Sequence, residues 1–172
     1  MITQQAAERV RGWFTGRLPE EWRPETPEIT IDREEITVVL ALEDVQLPDA
    51  SAAELDEARA GRTRAFREDT REKRIEIARE AEHRFDRKVS WAVRLGDRTE
   101  LFTHLAAPVM TRLRQPQRLV LDTLVDSGVA RSRAEALAWC VRLVGEHESD
   151  WLGELREAMA HVADVRSKGP AA

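Results

Sequence analysis

The apolar positions of the chain change period several times, and each change predicts an element. Over residues 3–17, Ala7, Val10, Trp13 and Phe14 recur at helical spacing, which predicts a short amphipathic helix. The run LPEEWRPETPE (18–28) carries three prolines, so regular structure stops there. In EITIDREEITVVLALEDV (28–45) the period drops to two. Ile29 and Ile31 alternate with polar residues, and Ile36, Val38, Leu40 and Leu42 do so again after Asp32–Glu35. That alternation predicts a β-hairpin.

Leu47-Pro48 ends the hairpin. Ser51, with Glu54 three residues on, has the form of a capping box and opens a helix signal over about 52–87, with an expected break at Gly61. At roughly 100° per residue Arg67, Arg71 and Arg74 share one face, which continues as Ala78, Ala81 and Phe85. The second half of the helix is therefore expected to pack and the first half to protrude. Val89, Trp91, Val93 and Leu95 then alternate up to Gly96-Asp97, a two-residue turn of the primed type. Leu101, Thr103 and Leu105 continue on the return strand. One four-stranded sheet with helices on one face would bury this set.

The last third has helical period. Pro116 suits a first turn, and Leu119, Val120, Leu124 and Val125 form an apolar stripe. Gly128 falls where the chain must turn left-handed. Ser132 caps the next helix with Glu135 completing a capping box, and Leu137, Cys140, Val141 and Val144 are expected to face inward. A third helix over about 149–166 carries Leu152, Leu155, Met159 and Val162 on one seam, and 167–172 is a frayed tail. The fold class predicted is α+β. Residues 1–107 form a mixed domain of helix, hairpin, long helix and hairpin, and 108–166 a helical subdomain.

The composition, 42% hydrophobic and 34% charged in 172 residues, fits a globular protein of one good domain or two small ones. No apolar run reaches the roughly 20 residues of a membrane span. MITQQAAERVRGWF lacks the apolar centre of a secretory signal, so a cytoplasmic location without membrane contact is expected. The single cysteine, Cys140, can form no internal disulfide and reads as a buried thiol. Charge is unevenly spread. Residues 1–58 hold 5 basic and 14 acidic side chains, 59–100 hold 13 and 9, and 101–172 hold 9 of each. Such a split can steer a polyanion to one face, or it can hold two parts of one chain together.

Candidate chemistry is sparse. There is no CxxC, GxSxG or glycine-rich phosphate loop. His83 lies in AEHRF rather than HExxH, and no nucleophile is placed to meet His104. Glu157, His161 and Asp164 share a helix face but are too few and too parallel for a closed metal site. No enzyme, metal or cofactor is expected. The Arg67/Arg71/Arg74 stripe can track phosphates. Interleaved Glu68, Asp69, Glu72 and Glu76 give the other reading, a solvated helix face. Trp22, in the proline-rich run, either docks that loop or anchors a partner.

Three pieces in order, TRLRQP (111–116), LDTLVDSGVARSRAEAL (121–137) and WCVRLV (139–144), make residues 108–144 resemble the ribbon-helix-helix DNA-binding family. The resemblance implies a homodimer in which two 109–113 strands pair into an antiparallel ribbon lying in the DNA major groove. It would point Met110 and Arg112 at the bases with Arg114 nearby, and Thr111 and Leu113 inward. Ser132 and the first amides of its helix would hold a phosphate, with Arg131 and Arg133 adding charge. Arg67, Arg71 and Arg74 are further candidates for phosphate contact. The departures are about 107 residues ahead of the segment and Arg114 where the family often has proline. The other reading makes 109–113 a third strand of the 88–105 hairpin, Ser132 an ordinary cap and Arg112 a surface residue. The chain as a whole also resembles an uncharacterised protein type of GC-rich bacteria; separately, its scarcity of lysine suggests a GC-rich coding genome. The function expected is a dimeric transcriptional regulator or nucleoid-associated factor that binds DNA. The alternative is a scaffold protein whose acidic first third contacts a basic protein partner, without DNA.

Overall fold

The computed structural model describes residues 4–168, and the side chains of all of these except 163, 164, 167 and 168. The chain separates into two units, Met1–Ala107 and Pro108–Ala172. In the first, α1 (Gln4–Arg17) and a 3-10 turn (Glu20–Trp22) precede β1 (Glu28–Ile31) and β2 (Glu35–Ala41). Helices α2 (Ala52–Asp69) and α3 (Arg71–Phe85) follow, then β3 (Lys88–Leu95) and β4 (Arg98–Leu101).

The four strands form one sheet in the order β1-β2-β3-β4. Each hairpin is antiparallel, while the central pair, β2 and β3, is parallel. Parallel neighbours need a crossover, and α2–α3 supplies it. The two alternating patterns meet in register: Ile36 beside Val89, Val38 beside Trp91, Leu40 beside Val93. All six are buried, and Val10 and Phe14 of α1 and Ile77 and Ala81 of α3 join them in one core. The helices thus cover one face, as the alternation predicts. β3 stays buried at its centre on the other face too, because Ser90 and Ala92 there are small and flanked by neighbouring strands.

Aromatic rings run through this core as a chain of edge-on contacts. Trp13 touches Phe85 and Phe14, Phe14 touches Trp91, Trp91 touches Trp22, and Trp22 touches Phe66. Trp22, 6% exposed, therefore docks the proline-rich loop and is not free to anchor a partner. Ser51 and Glu54 form the expected capping box at the start of α2.

The long helix breaks at Thr70, not at Gly61. A glycine in an exposed helix costs only about 1 kcal/mol, and nothing crowds Gly61. The Thr70 hydroxyl instead donates to the Phe66 carbonyl at 2.5 Å, a back-bond that bends helices. Arg74 Nη2 donates to the Arg67 carbonyl at 2.6 Å, satisfying one of the last acceptors of α2. The first half does not simply protrude either, since Thr63 is buried and Phe66 packs on the core.

Four carboxylates of the acidic first third bind arginines of the basic middle. Asp44 takes Arg59, Glu25 and Glu28 take Arg94, and Asp56 takes Arg98. These pairs use the charge split to hold the unit together, though each exposed pair adds little. Gly96 turns β3 into β4 at φ 61°, and a Cβ there would lie 2.6 Å from Arg59 Nη2. Gly96→Ala meets both the left-handed penalty and the ion pair, so a loss of about 1–3 kcal/mol is expected in urea unfolding. An unchanged midpoint would mean that the turn is free to adopt another form.

β4 ends at Leu101. Thr103 and Leu105 lie beyond it and are exposed, so the second hairpin is shorter than its alternation suggests. Residues 103–114 carry no regular structure, and 109–113 are not a strand of this sheet.

The second unit contains α4 (Gln115–Asp126), α5 (Arg133–His147) and α6 (Ser149–Lys168). Its core is small. Leu121, Ala130 and Ala136 are buried, with Leu113, Leu124, Val125, Leu137 and Cys140 packed around them. Cys140 is thus half-buried rather than enclosed. Leu119, Val120, Val141 and Val144 are exposed, against their expected inward facing, and so are Trp151, Leu155, Met159 and Val162. Three helices of this length have too little volume to cover all these side chains. α6 reaches Lys168, past the expected start of the frayed tail, and 169–172 lie outside the described residues. The side chain of Asp164, from the Glu157/His161/Asp164 face, also lies outside them.

Candidate functional site

The segment before α4 is irregular and open to solvent. Val109 is 85% and Met110 97% exposed, and Thr111, Arg112 and Arg114 are exposed as well. Leu113 alone is half-buried and packs on the core of its unit. The end of the segment is pinned to α4. The Arg114 backbone N–H donates to Gln117 Oε1 at 2.8 Å, and Arg118 Nη1 donates to the Leu113 carbonyl at 2.7 Å. Met110 and Arg112 therefore stand on a segment anchored at one end, with its own backbone outside any ladder.

At the far end of the turn, Gly128 takes φ 78° and Ser132 begins α5. Ser132 Oγ accepts from the Glu135 N–H at 3.2 Å. The Glu135 carboxylate does not return to Ser132 as a full capping box would. It accepts instead from the Arg131 backbone N–H at 2.8 Å and from the Arg131 guanidinium at 3.2 and 3.3 Å. Those hydrogen bonds hold the Glu135 carboxyl below its ordinary range. Arg133 forks onto Asp122 of α4 at 2.6 and 2.8 Å, which lowers the Asp122 carboxyl in the same way. Arg133 thus ties α5 to α4. Arg131, 92% exposed at its side chain, is the guanidinium more easily exchanged for another anion.

Arg67, Arg71 and Arg74 do not form one solvated stripe. Arg67 and Arg71 are exposed, but Arg74 is 7% exposed and buried against Phe102, its guanidinium carbon 4.8 Å from the ring centroid. Its Nε donates to Thr70 Oγ1 at 3.0 Å. Arg67 lies over the same ring at 5.5 Å. Burial, then the charges of Arg67 and Arg71, push the Arg74 pKa down. So enclosed, Arg74 offers less of its guanidinium to solvent than Arg67 and Arg71 do. Beside these three lie Arg64 and Glu100, and together with Phe102 they line a cleft of about 650 Å³. Sequence periodicity missed Phe102 and Glu100, because only the β3–β4 register brings β4 alongside the helix junction.

The chain from residue 8 to 101 matches the family described as Rv1265-like protein, N-terminal domain, and residues 114–166 match the Mb1296 C-terminal domain. The uncharacterized protein Rv1265 of Mycobacterium tuberculosis is 54% identical over 168 residues, which cover 97% of this chain and 73% of that protein. The uncharacterized protein Mb1296 of Mycobacterium bovis matches with the same figures. The chain belongs to the Rv1265-like family.

No solved structure matches it. The N-terminal Rv1265-like match holds the sheet and the arginine cleft, and the C-terminal match begins at Arg114 and holds α4 to α6. Residues 102–113, with the open Val109–Leu113 segment, lie between the two. Among the described residues of this Rv1265-like protein, no helix is long and apolar enough to cross a membrane, and no group of three or more His, Cys, Asp or Glu could hold a metal ion.

Proposed function

We propose that the chain is a dimeric DNA-binding protein, a transcriptional regulator or nucleoid-associated factor. In this reading, Val109–Leu113 of two copies pair as an antiparallel ribbon. The observation that carries it is the open segment itself. Val109 and Met110 are almost fully exposed, the backbone lies in no ladder, and two helices with a left-handed turn follow directly. A solvent-open run whose backbone has no partner in its own chain is free to pair with a second copy. The exposed apolar side chains of α4, α5 and α6 support a second copy as that partner, because isologous pairing buries the same patch twice.

In the ribbon, Arg112 presents its donor fork to a guanine edge, with Met110 and Arg114 on either side of it. Ser132 and Arg131, at the start of α5, take a phosphate, favoured by the helix N-terminus. Arg133 keeps its bond to Asp122 and sets the angle between the helices. The carboxylates of the first third that bind arginines of their own unit leave the scaffold reading with less free acidic surface.

Fluorescence anisotropy on mixed duplex DNA at about 50 and 200 mM salt tests this reading. Affinity that falls by orders of magnitude between the two supports phosphate contact. No binding at the lower salt sinks it. Arg112→Ala is expected to weaken binding to a selected site about 10- to 100-fold and to relax base preference. Equal affinity of the variant and the parent for that site would remove Arg112 from base reading.

A further inference from the structure

Among the described residues, some arginines of the first unit are ion-paired and others are not, and three of the unpaired ones line one cleft. Arg17, Arg59, Arg64, Arg94 and Arg98 each hold a carboxylate. Arg67, Arg71 and Arg74 do not: among the described residues, no ion pair joins any of them to an acid. The hydrogen bonds of Arg74 go to neutral oxygens, the Thr70 hydroxyl and the Arg67 carbonyl. Arg67 has only a long contact of 3.5 Å to the Phe102 carbonyl. Arg67 and Arg74 thus stand over the Phe102 ring at the α2–α3 junction, and Arg71 lines the same cleft, with none of the three ion-paired to an acid.

The cleft they line also holds Arg64, Glu68 and Glu100. Glu68 is taken by Arg64 at 3.1 Å. That leaves Arg67, Arg71 and Arg74 against Glu100, a net charge of about +2 in a walled space rather than along an open ridge. Phe102 and the half-exposed Ile75 give the same cleft an apolar wall. Arginine is the side chain suited to such a place, because its planar fork matches two oxygens of one anionic group while its face stacks on an aromatic ring.

We infer that the cleft between the α2–α3 junction and β4 is a binding site for a small dianion, a phosphomonoester or a dicarboxylate, that carries an apolar portion. Arg67 and Arg71 grip the anionic oxygens from the rim. Arg74, its guanidinium carbon 4.8 Å from the Phe102 ring centroid, sets the positive potential of the floor. Its charge is permanent and its position is fixed by Thr70 and the Arg67 carbonyl, so the site exists before the ligand arrives. The apolar portion lies along Phe102 and Ile75. This site belongs to the first unit alone and stands or falls separately from DNA binding by the second.

The test is isothermal titration calorimetry on the full chain at low ionic strength, with phenyl phosphate and phenylsuccinate as probes and benzoate as the monoanion control. Saturable binding of either dianion at one site, stronger than that of benzoate, is the expected result. Which of the two binds more tightly tells phosphate from dicarboxylate. Arg71→Gln changes an exposed side chain and leaves the fold intact by circular dichroism, and it should weaken the preferred probe about tenfold or more. Arg67→Gln should do the same. Arg74→Lys keeps the charge but loses the fork and the stacking, and it is read only if the variant melts like the parent. No saturable binding of either probe overturns the inference. So does a preferred probe whose affinity Arg71→Gln and Arg67→Gln leave unchanged, since its site would then lie elsewhere. If these two variants weaken duplex DNA binding while neither dianion binds, the arginines serve a polyanion and the small-molecule site is wrong.

Discussion

Phe14→Ala is expected to cost the first unit about 3–5 kcal/mol, a large part of the stability of a domain this size. Phe14 is fully buried at the contact of α1 with the sheet. Its ring meets Trp13 at 4.9 Å and Trp91 at 6.3 Å, both edge-on, so truncation opens a cavity and breaks the aromatic chain at its middle. Neighbouring side chains cannot close that space without leaving their own contacts on β2 and β3. Urea unfolding followed by tryptophan fluorescence reads the loss directly, because Trp13, Trp22 and Trp91 all report on this core. A cost under about 1 kcal/mol would show that α1 is a loose attachment and not part of the core.

The second large effect concerns assembly. Val141→Asp is expected to shift the monomer–dimer equilibrium about 100-fold or more toward monomer and to abolish tight DNA binding with it. Val141 is 65% exposed on α5, beside Val144 on the same face. Burial of a valine is worth about 1.5–3 kcal/mol. In a two-fold symmetric dimer each substitution counts twice, so roughly 3 kcal/mol or more is lost, and every 1.4 kcal/mol is tenfold. The substitution touches nothing buried in the single chain, so the helices should keep their circular dichroism. Sedimentation velocity across a concentration series gives the answer. A parent that stays monomeric, or a variant that dimerises equally well, removes the apolar face of α5 from the interface and leaves the ribbon without its support.

What the sequence made legible was local. Alternation placed Ile29, Ile36 and Val38 on one face and Val89, Trp91 and Val93 on another, and both faces prove to be the same core. Alternation says which side a residue takes, not which strand lies beside it, so the parallel pairing of β2 with β3 was out of reach. Sequence propensity puts the helix break at Gly61 and the structure puts it at Thr70, for a related reason. Gly61 looked weak by propensity, but the break is made by a hydroxyl and a guanidinium at Thr70 and Arg74, through contacts that span the junction. Arg74 itself read as one member of a charged run. It is buried against Phe102, which follows directly on β4, and no spacing rule carries that information. In the second unit the turn at Gly128 and the cap at Ser132 were readable from single residues. The apolar stripes there were readable as well. Their direction was not, because amphipathic spacing does not tell an inward core from a face that another chain must cover.

The parallel pairing at the centre of the sheet also governs how the first unit comes together. Each hairpin closes over a short turn, an event of microseconds. Neither can bury its apolar face until β2 and β3 meet, and the stretch 42–87 separates them. Contacts so distant in sequence slow folding, because the entropy of closing the loop is lost before any burial repays it. Forming α2 and α3 early shortens that span and brings Lys88 back toward Glu35, where the parallel ladder starts. A change that stabilises the helix pair at Thr70 therefore speeds the assembly of the sheet, although it touches no strand.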